Sequence, residues 1–194
     1  MKVVVVKYNS GNTYSVECAL KRLGINSLIT SSMDEIKSAD RVIFPGVGEA
    51  KSTMEHLCYH GLDKFIPDLE QPVLGICLGM QLLCSYSEEN NTKGMGVFPV
   101  KVSRFSASTL TKVPHIGWNS LKYQVPDTAI KKEKSYVYFV HSYFVPLNEY
   151  TVATCEYGVE FSAIMKKNNF YATQFHPEKS GIVGENILLE FLNS

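Results

Sequence analysis

Apolar and polar positions along the first half of the chain change period repeatedly. Short apolar or β-branched runs at residues 3–6, 27–30, 41–44 and 73–76 alternate with stretches at 14–23, 33–37 and 50–60 whose apolar residues recur at helical spacing. Strands covered on both faces read as continuous apolar runs, whereas helices with one buried face read with a period near 3.6. The rhythm therefore predicts an α/β fold: a mainly parallel central sheet with helices on both faces and functional loops at the carboxyl ends of its strands. Pro45-Gly46-Val47-Gly48 follows one predicted strand and Cys77 follows another, so these two turns are expected to be neighbours.

The texture changes after Gly96. Runs at 97–105, 136–140, 150–156, 162–165 and 170–175 are aromatic and β-branched with few helical stretches between them, which predicts antiparallel additions to the sheet. Helical spacing returns at 183–192, where Ile187, Leu188, Phe191 and Leu192 can cover the sheet. With no internal repeat or low-complexity linker, residues 1–194 read as a single domain.

Composition narrows the function classes. The chain is 45% hydrophobic and 20% charged, ordinary for a soluble globular domain, and 19 basic residues balance 19 acidic ones. That balance argues against a nucleic-acid or anionic-membrane surface. The cysteines Cys18, Cys58, Cys77, Cys84 and Cys155 are odd in number, form no C-x-x-C pair and follow no secretory leader, which points to a reducing cytoplasm. The apolar run 3–6 is too short for a signal-peptide core or a membrane span.

One cysteine has a distinctive address. In Gly75-Ile76-Cys77-Leu78-Gly79-Met80-Gln81, Cys77 stands between a strand-like run and a helix start, with glycines two positions to either side. Those glycines leave room for a sharp strand-to-helix turn that lifts the side chain out of the sheet. The thiolate is the form that attacks a carbonyl carbon. Such chemistry needs a base, a group to orient the base, and backbone donors for the oxyanion. His176 closes the run 170–175, at the edge where Cys77 is expected, and Glu178 is two residues further on. The Val47 amide, in a loop whose glycines permit a peptide flip, and the Leu78 amide are the candidate oxyanion donors. Taken alone, a core role for Cys77, a strand-capping role for His176 and an ordinary turn at 45–48 all stay open. The remaining histidines look less useful. His56 and His60 are four apart on a predicted helix, but Cys58 points to another face and no third metal ligand is evident.

Taken together, Pro45-Gly46-Val47-Gly48, Gly75-Ile76-Cys77-Leu78-Gly79-Met80-Gln81 and Gln174-Phe175-His176-Pro177-Glu178 resemble the class I, triad-type glutamine amidotransferases. The segments Pro114-His115-Ile116-Gly117-Trp118-Asn119, Tyr138-Phe139-Val140-His141-Ser142-Tyr143 and His176-Pro177-Glu178-Lys179-Ser180-Gly181 extend the likeness to the glutaminase subunits of imidazole glycerol phosphate synthases, essentially end to end. The resemblance implies a catalytic triad of Cys77, His176 and Glu178 that hydrolyses L-glutamine through a γ-glutamyl thioester. It implies glutamine contacts at Gly48, Gln81, Glu89, Ser142 and Tyr143. It further implies a partner, a separate synthase (cyclase) subunit with a (β/α)8 barrel in L-histidine biosynthesis, joined as a heterodimer through Asn12, Trp118, Tyr138 and Lys179. No cofactor or metal is implied. In the loop 7–12, Lys7 stands where many relatives carry an acidic residue, which bears on the Asn12 contact and leaves the triad untouched. The alternatives are an amidotransferase serving another biosynthetic synthase and a non-catalytic partner-binding module.

Overall fold

The computed structural model describes residues 1–9, 12–107, 111–124 and 135–194, so Ser10 and Gly11 of the loop 7–12 lie outside the described residues. The first half runs β1 (Val3–Val6), α1 (Thr13–Arg22), β2 (Ser27–Thr30), α2 (Met33–Lys37), β3 (Arg41–Gly46), α3 (Ala50–Tyr59), α4 (Leu62–Phe65), β4 (Val73–Cys77) and α5 (Leu78–Leu83). The second continues with β5 (Cys84–Ser87), β6 (Thr92–Lys93), β7 (Phe98–Arg104), β8 (His115–Ser120), β9 (Lys122–Tyr123), β10 (Tyr136–His141) and β11 (Tyr143–Phe144). It closes with β12 (Thr151–Tyr157), β13 (Val159–Lys167), β14 (Phe170–Thr173) and α6 (Gly181–Leu192).

The main sheet has the order β2-β1-β3-β4-β14-β13-β12-β9. Strands β2, β1, β3, β4 and β14 are mutually parallel. Alternate residues of β1 serve opposite faces, which is why its four valines are all buried. Val4 and Val6 join Val42 and Phe44 beneath α2 to α5, including Ile36, Leu57 and Leu62. Val3 and Val5 join Ile43, Leu74 and Ile76 beneath Val16 and Leu20 of α1 and Leu188 and Phe191 of α6. Burying each such side chain stabilises the fold by roughly 1.5–3 kcal/mol, and a charge at Val5 would meet an apolar layer with no partner.

The antiparallel additions are present in β13, β12 and β9, but three predicted strands go elsewhere. β14 is parallel to β4, because it is the hairpin partner of β13, which itself runs against the parallel block. β7 belongs to a separate sheet of order β11-β7-β5-β6, and β10 pairs with β8 in an antiparallel ribbon of two strands among the described residues. Periodicity specifies a buried face and leaves the neighbouring strand undetermined. The ribbon's inner residues Val137 and Phe139 pack with Phe105, Phe161 and Phe175 in a third core, which fastens the ribbon beside the carboxyl edge of the parallel strands.

Candidate active site

Cys77 ends β4 and Leu78 begins α5, and the reversal falls on the cysteine itself, at φ 54° and ψ −108°. A non-glycine residue held at positive φ costs about 1–3 kcal/mol and persists only where its surroundings enforce it. The flanking glycines supply that enforcement through packing. A Cβ on Gly79 would lie 2.1 Å from the Phe44 carbonyl oxygen, one on Gly46 would lie 2.5 Å from the Gly79 nitrogen, and one on Gly75 would lie 2.7 Å from Leu83 Cδ1. Gly75 and Gly79 make the expected room for the sharp turn by letting α5 press against β3 and β4, while the strained backbone itself is at Cys77.

The neighbouring loop is in register with this elbow, with Gly46 the cross-strand partner of Cys77. Gly48 takes φ 107°, a region that favours glycine. Tyr8, whose ring lies against Phe44, donates its hydroxyl to the Pro45 carbonyl and so ties this loop down from β1. Burial, then the proximity of Cys77, push the Tyr8 phenol well above its ordinary range.

β14 runs parallel to β4, with Thr173 beside Ile76, so the chain leaving β14 delivers His176 to the same edge as Cys77. A short 3₁₀ turn, Pro177–Lys179, then folds Glu178 back. Its Oε1 accepts from His176 Nδ1 at 2.7 Å, with both side chains almost wholly buried. That bond holds the ring's orientation and leaves Nε2 as the nitrogen turned away from Glu178. Burial opposes charging the ring, but the Cys77 sulfur and the Glu178 carboxylate overcome it and raise the His176 pKa to about 10. Nε2 has no hydrogen-bond partner of good geometry among the described residues, so its attraction to the sulfur is one of charge and proximity. The sulfur meets the Val140 carbonyl at 3.9 Å and accepts from Gln174 Nε2 at 3.8 Å.

A cavity of about 370 Å³ opens over these groups. Gly48, Gln81, Glu89, Ser142 and Tyr143 all line it together with Cys77, His176, Val47 and Leu78. Glu89 accepts from the Ala50 amide at 2.8 Å, and burial, then that opposing bond, then the charge of Glu49, leave its pKa above the usual carboxylate value. It forms no ion pair among the described residues. A larger cavity of about 460 Å³ lies between α6 and the sheet, walled by Leu74, Ile164, Ile187 and Phe191, with no cysteine or histidine in its lining.

On the β8–β10 ribbon, Trp118 is 57% exposed and meets Tyr138, its cross-strand partner, edge to face at 6.1 Å. Lys179 is exposed on the 3₁₀ turn, and α1, headed by Asn12, packs against that turn. The His56 and His60 rings lie 4.4 Å apart, tilted by 51°, at the end of α3, and no group of three metal-ligating side chains exists among the described residues. Nor is any helix there long and apolar enough to cross a membrane. Sequence reasoning passed over His115, His141 and Gln174. The available signal was register: His141 occupies an inward position of β10 that Val137 and Phe139 otherwise fill with apolar side chains.

A thiol on strained backbone, an imidazole and the carboxylate bonded to it meet at the carboxyl edge of a parallel sheet, and these are the constituents of a cysteine-dependent acyl-transfer site. Residues 4–193 match the glutamine amidotransferase class-I family, and the chain belongs to that family and, within it, to imidazole glycerol phosphate synthase subunits of the HisH type. It is 54% identical to imidazole glycerol phosphate synthase subunit HisH of Bacteroides fragilis, across 99% of each chain. It is 45% identical to the subunit of that name from Idiomarina loihiensis, across 99% of this chain and 97% of the relative. Among solved structures, a glutamine amidotransferase superposes with TM-score 0.77 at 18% identity, covering 100% of this chain and 98% of that one. PurLQS from Thermotoga maritima gives 0.73 at 17% identity, covering 99% and 97%. These structural likenesses speak to the fold.

Proposed function

We propose that the chain is the glutaminase subunit of an imidazole glycerol phosphate synthase, releasing ammonia from L-glutamine for a partner subunit. The observation that carries the substrate is Glu89: a half-buried carboxylate, unpaired by any cation among the described residues, in the same cavity as Cys77. It suits the α-ammonium of a free amino acid, while Gln81 and the backbone of Ser142 and Tyr143 suit its neutral and carboxylate groups.

In this reading the Cys77 thiolate attacks the side-chain amide carbon, and the amides of Val47 and Leu78 receive the oxyanion. His176 protonates the departing nitrogen, which leaves as ammonia, and a γ-glutamyl thioester remains. His176 then takes a proton from water, the hydroxide cleaves the thioester, and glutamate and the thiolate are regenerated. Glu178 holds the ring throughout.

The ammonia is consumed by a cyclase subunit of (β/α)8-barrel form, joined as a heterodimer over Asn12, Trp118, Tyr138 and Lys179. It is used there to make imidazole glycerol phosphate in histidine biosynthesis. The exposed Trp118 beside the half-buried Tyr138 on the ribbon suits such a face.

The test mixes the chain with its cognate synthase and measures glutamate release with and without the nucleotide substrate. Cys77→Ala abolishes glutamine-dependent synthesis and spares synthesis from added ammonia; equal loss of both overturns the role given to Cys77. If the Val47 peptide must flip to complete the oxyanion hole, the lone chain hydrolyses glutamine slowly until partner and ligand bind. Full activity in isolation overturns that coupling.

A further inference from the structure

His115 and His141 are cross-strand partners at the end of the β8–β10 ribbon, both buried, and neither takes part in the chemistry above. Their contacts have a forced direction. The Tyr143 carbonyl lies 2.7 Å from His141 Nδ1 and can only accept, so Nδ1 carries the proton. In a neutral ring Nε2 must then accept, and its neighbour at 3.0 Å is His115 Nδ1, which must donate. Burial keeps both rings neutral, pushing His115 down to about 4 and His141 to about 3. His115 Nε2 is left as an acceptor facing Asn119 Nδ2 at 3.5 Å.

The same Tyr143 carbonyl receives a second donor, Gln81 Nε2 at 2.9 Å, which also donates to Gln174 Oε1 at 2.9 Å. Gln174 in turn donates to the Cys77 sulfur at 3.8 Å. We propose that His141, oriented by His115, is a positioning residue for glutamine: it shares the Tyr143 carbonyl with Gln81 and thereby fixes the wall of the cavity that holds the substrate. Without the imidazole donor the Tyr143 peptide has only Gln81 to hold its carbonyl, and Gln81 is also the link to Gln174 and the nucleophile. The inference rests on reading the cavity as a glutamine site. Its rival is a purely structural role, since His115 stacks on Tyr157 at 3.9 Å and on Phe139 at 4.8 Å.

Two measurements separate these. In the full chain labelled with ¹⁵N-histidine, near neutral pH, both rings are expected as neutral Nδ1–H tautomers; an Nε2–H tautomer at either removes the directed chain and overturns the proposal, with no variant needed. In the complex with synthase, His141→Phe is expected to raise the glutamine KM about tenfold while kcat changes less than about threefold. His141→Asn, whose Nδ2 can replace Nδ1 as donor to Tyr143, recovers most of that KM. An unchanged KM in His141→Phe, or an equal rise in both variants, overturns the positioning role. Glutamine hydrolysis surviving in Cys77→Ala would instead overturn the reading of the site, whichever way the His141 variants behave.

Discussion

The backbone N–H of His176 donates to the carbonyl of Tyr138 at 3.0 Å. Ser180 completes the link, its hydroxyl accepting from the Tyr138 N–H at 3.0 Å and donating to the His176 carbonyl at 2.6 Å. The backbone that carries His176 is therefore stitched to the ribbon that carries Trp118 and Tyr138. A partner pressing on that ribbon would act through these hydrogen bonds on His176, the proposed general base.

Ser180→Ala tests this stitching. It leaves the part-buried Tyr138 N–H without its acceptor and the His176 carbonyl with only the Lys179 N–H, which costs about 1–3 kcal/mol of stability. With His176 less firmly held, kcat for glutamine is expected to fall about fivefold or more with little change in KM. Urea unfolding and steady-state glutaminase assays of the complex check both. A variant as stable as the parent with unaltered kcat would show that the Ser180 bridge carries no strain between ribbon and base.

Glu89→Gln isolates the substrate's charge. The variant keeps an acceptor for the Ala50 amide, so α3 stays anchored, but the carboxylate opposite the α-ammonium is gone. A charge-assisted hydrogen bond is worth about 1.5–3 kcal/mol, so the glutamine KM is expected to rise roughly ten- to hundredfold with kcat largely retained. Because the Glu89 pKa is raised, apparent affinity should also weaken as pH falls through that raised value in the parent and not in the variant. Superimposable KM profiles for the two proteins over mildly acidic pH would remove Glu89 from the binding site.

The parallel half of the fold was legible because its strands are covered on both faces, and a run such as Val3-Val4-Val5-Val6 has no other comfortable use. The site was legible for a related reason: the strand–turn–helix rhythm sends the ends of β3, β4 and β14 to one edge, so Gly46, Cys77 and His176 converge once the strands are parallel. What escaped depends on contacts between distant elements. The spacing of Gly75 and Gly79 shows that the turn needs room, but not that it is Phe44 of β3 that lies against Gly79 and Leu83 of α5 against Gly75. The same limit hid the partners of β7 and β10, and it hid Gln174, whose contact with Cys77 exists only across two adjacent strands.

The paired imidazoles predict an acid-sensitive fold, and the sign can be worked through. His115 and His141 have folded pKa values lowered from 6.5 to about 4 and about 3, chiefly by burial; for His141 the Tyr143 hydrogen bond opposes this and the nearby His115 and His176 add to it. Below pH 6.5 the unfolded chain takes up protons that the folded chain refuses, so stability falls with pH until the folded rings titrate. The limiting slope is about 1.4 kcal/mol per pH unit for each imidazole. His176 has the opposite shift: its contribution is complete below pH 6.5, adds no slope there, and is lost only as pH rises toward about 10. Urea midpoints measured from pH 7 to pH 4.5 should therefore drop steeply in the parent and less steeply in His115→Phe, where one buried imidazole is absent and the tendency of the other to stay neutral is relieved. Carboxylates common to both proteins cancel in the comparison. Parallel pH profiles for parent and variant would mean that the His115–His141 pair does not set the acid limit of this fold.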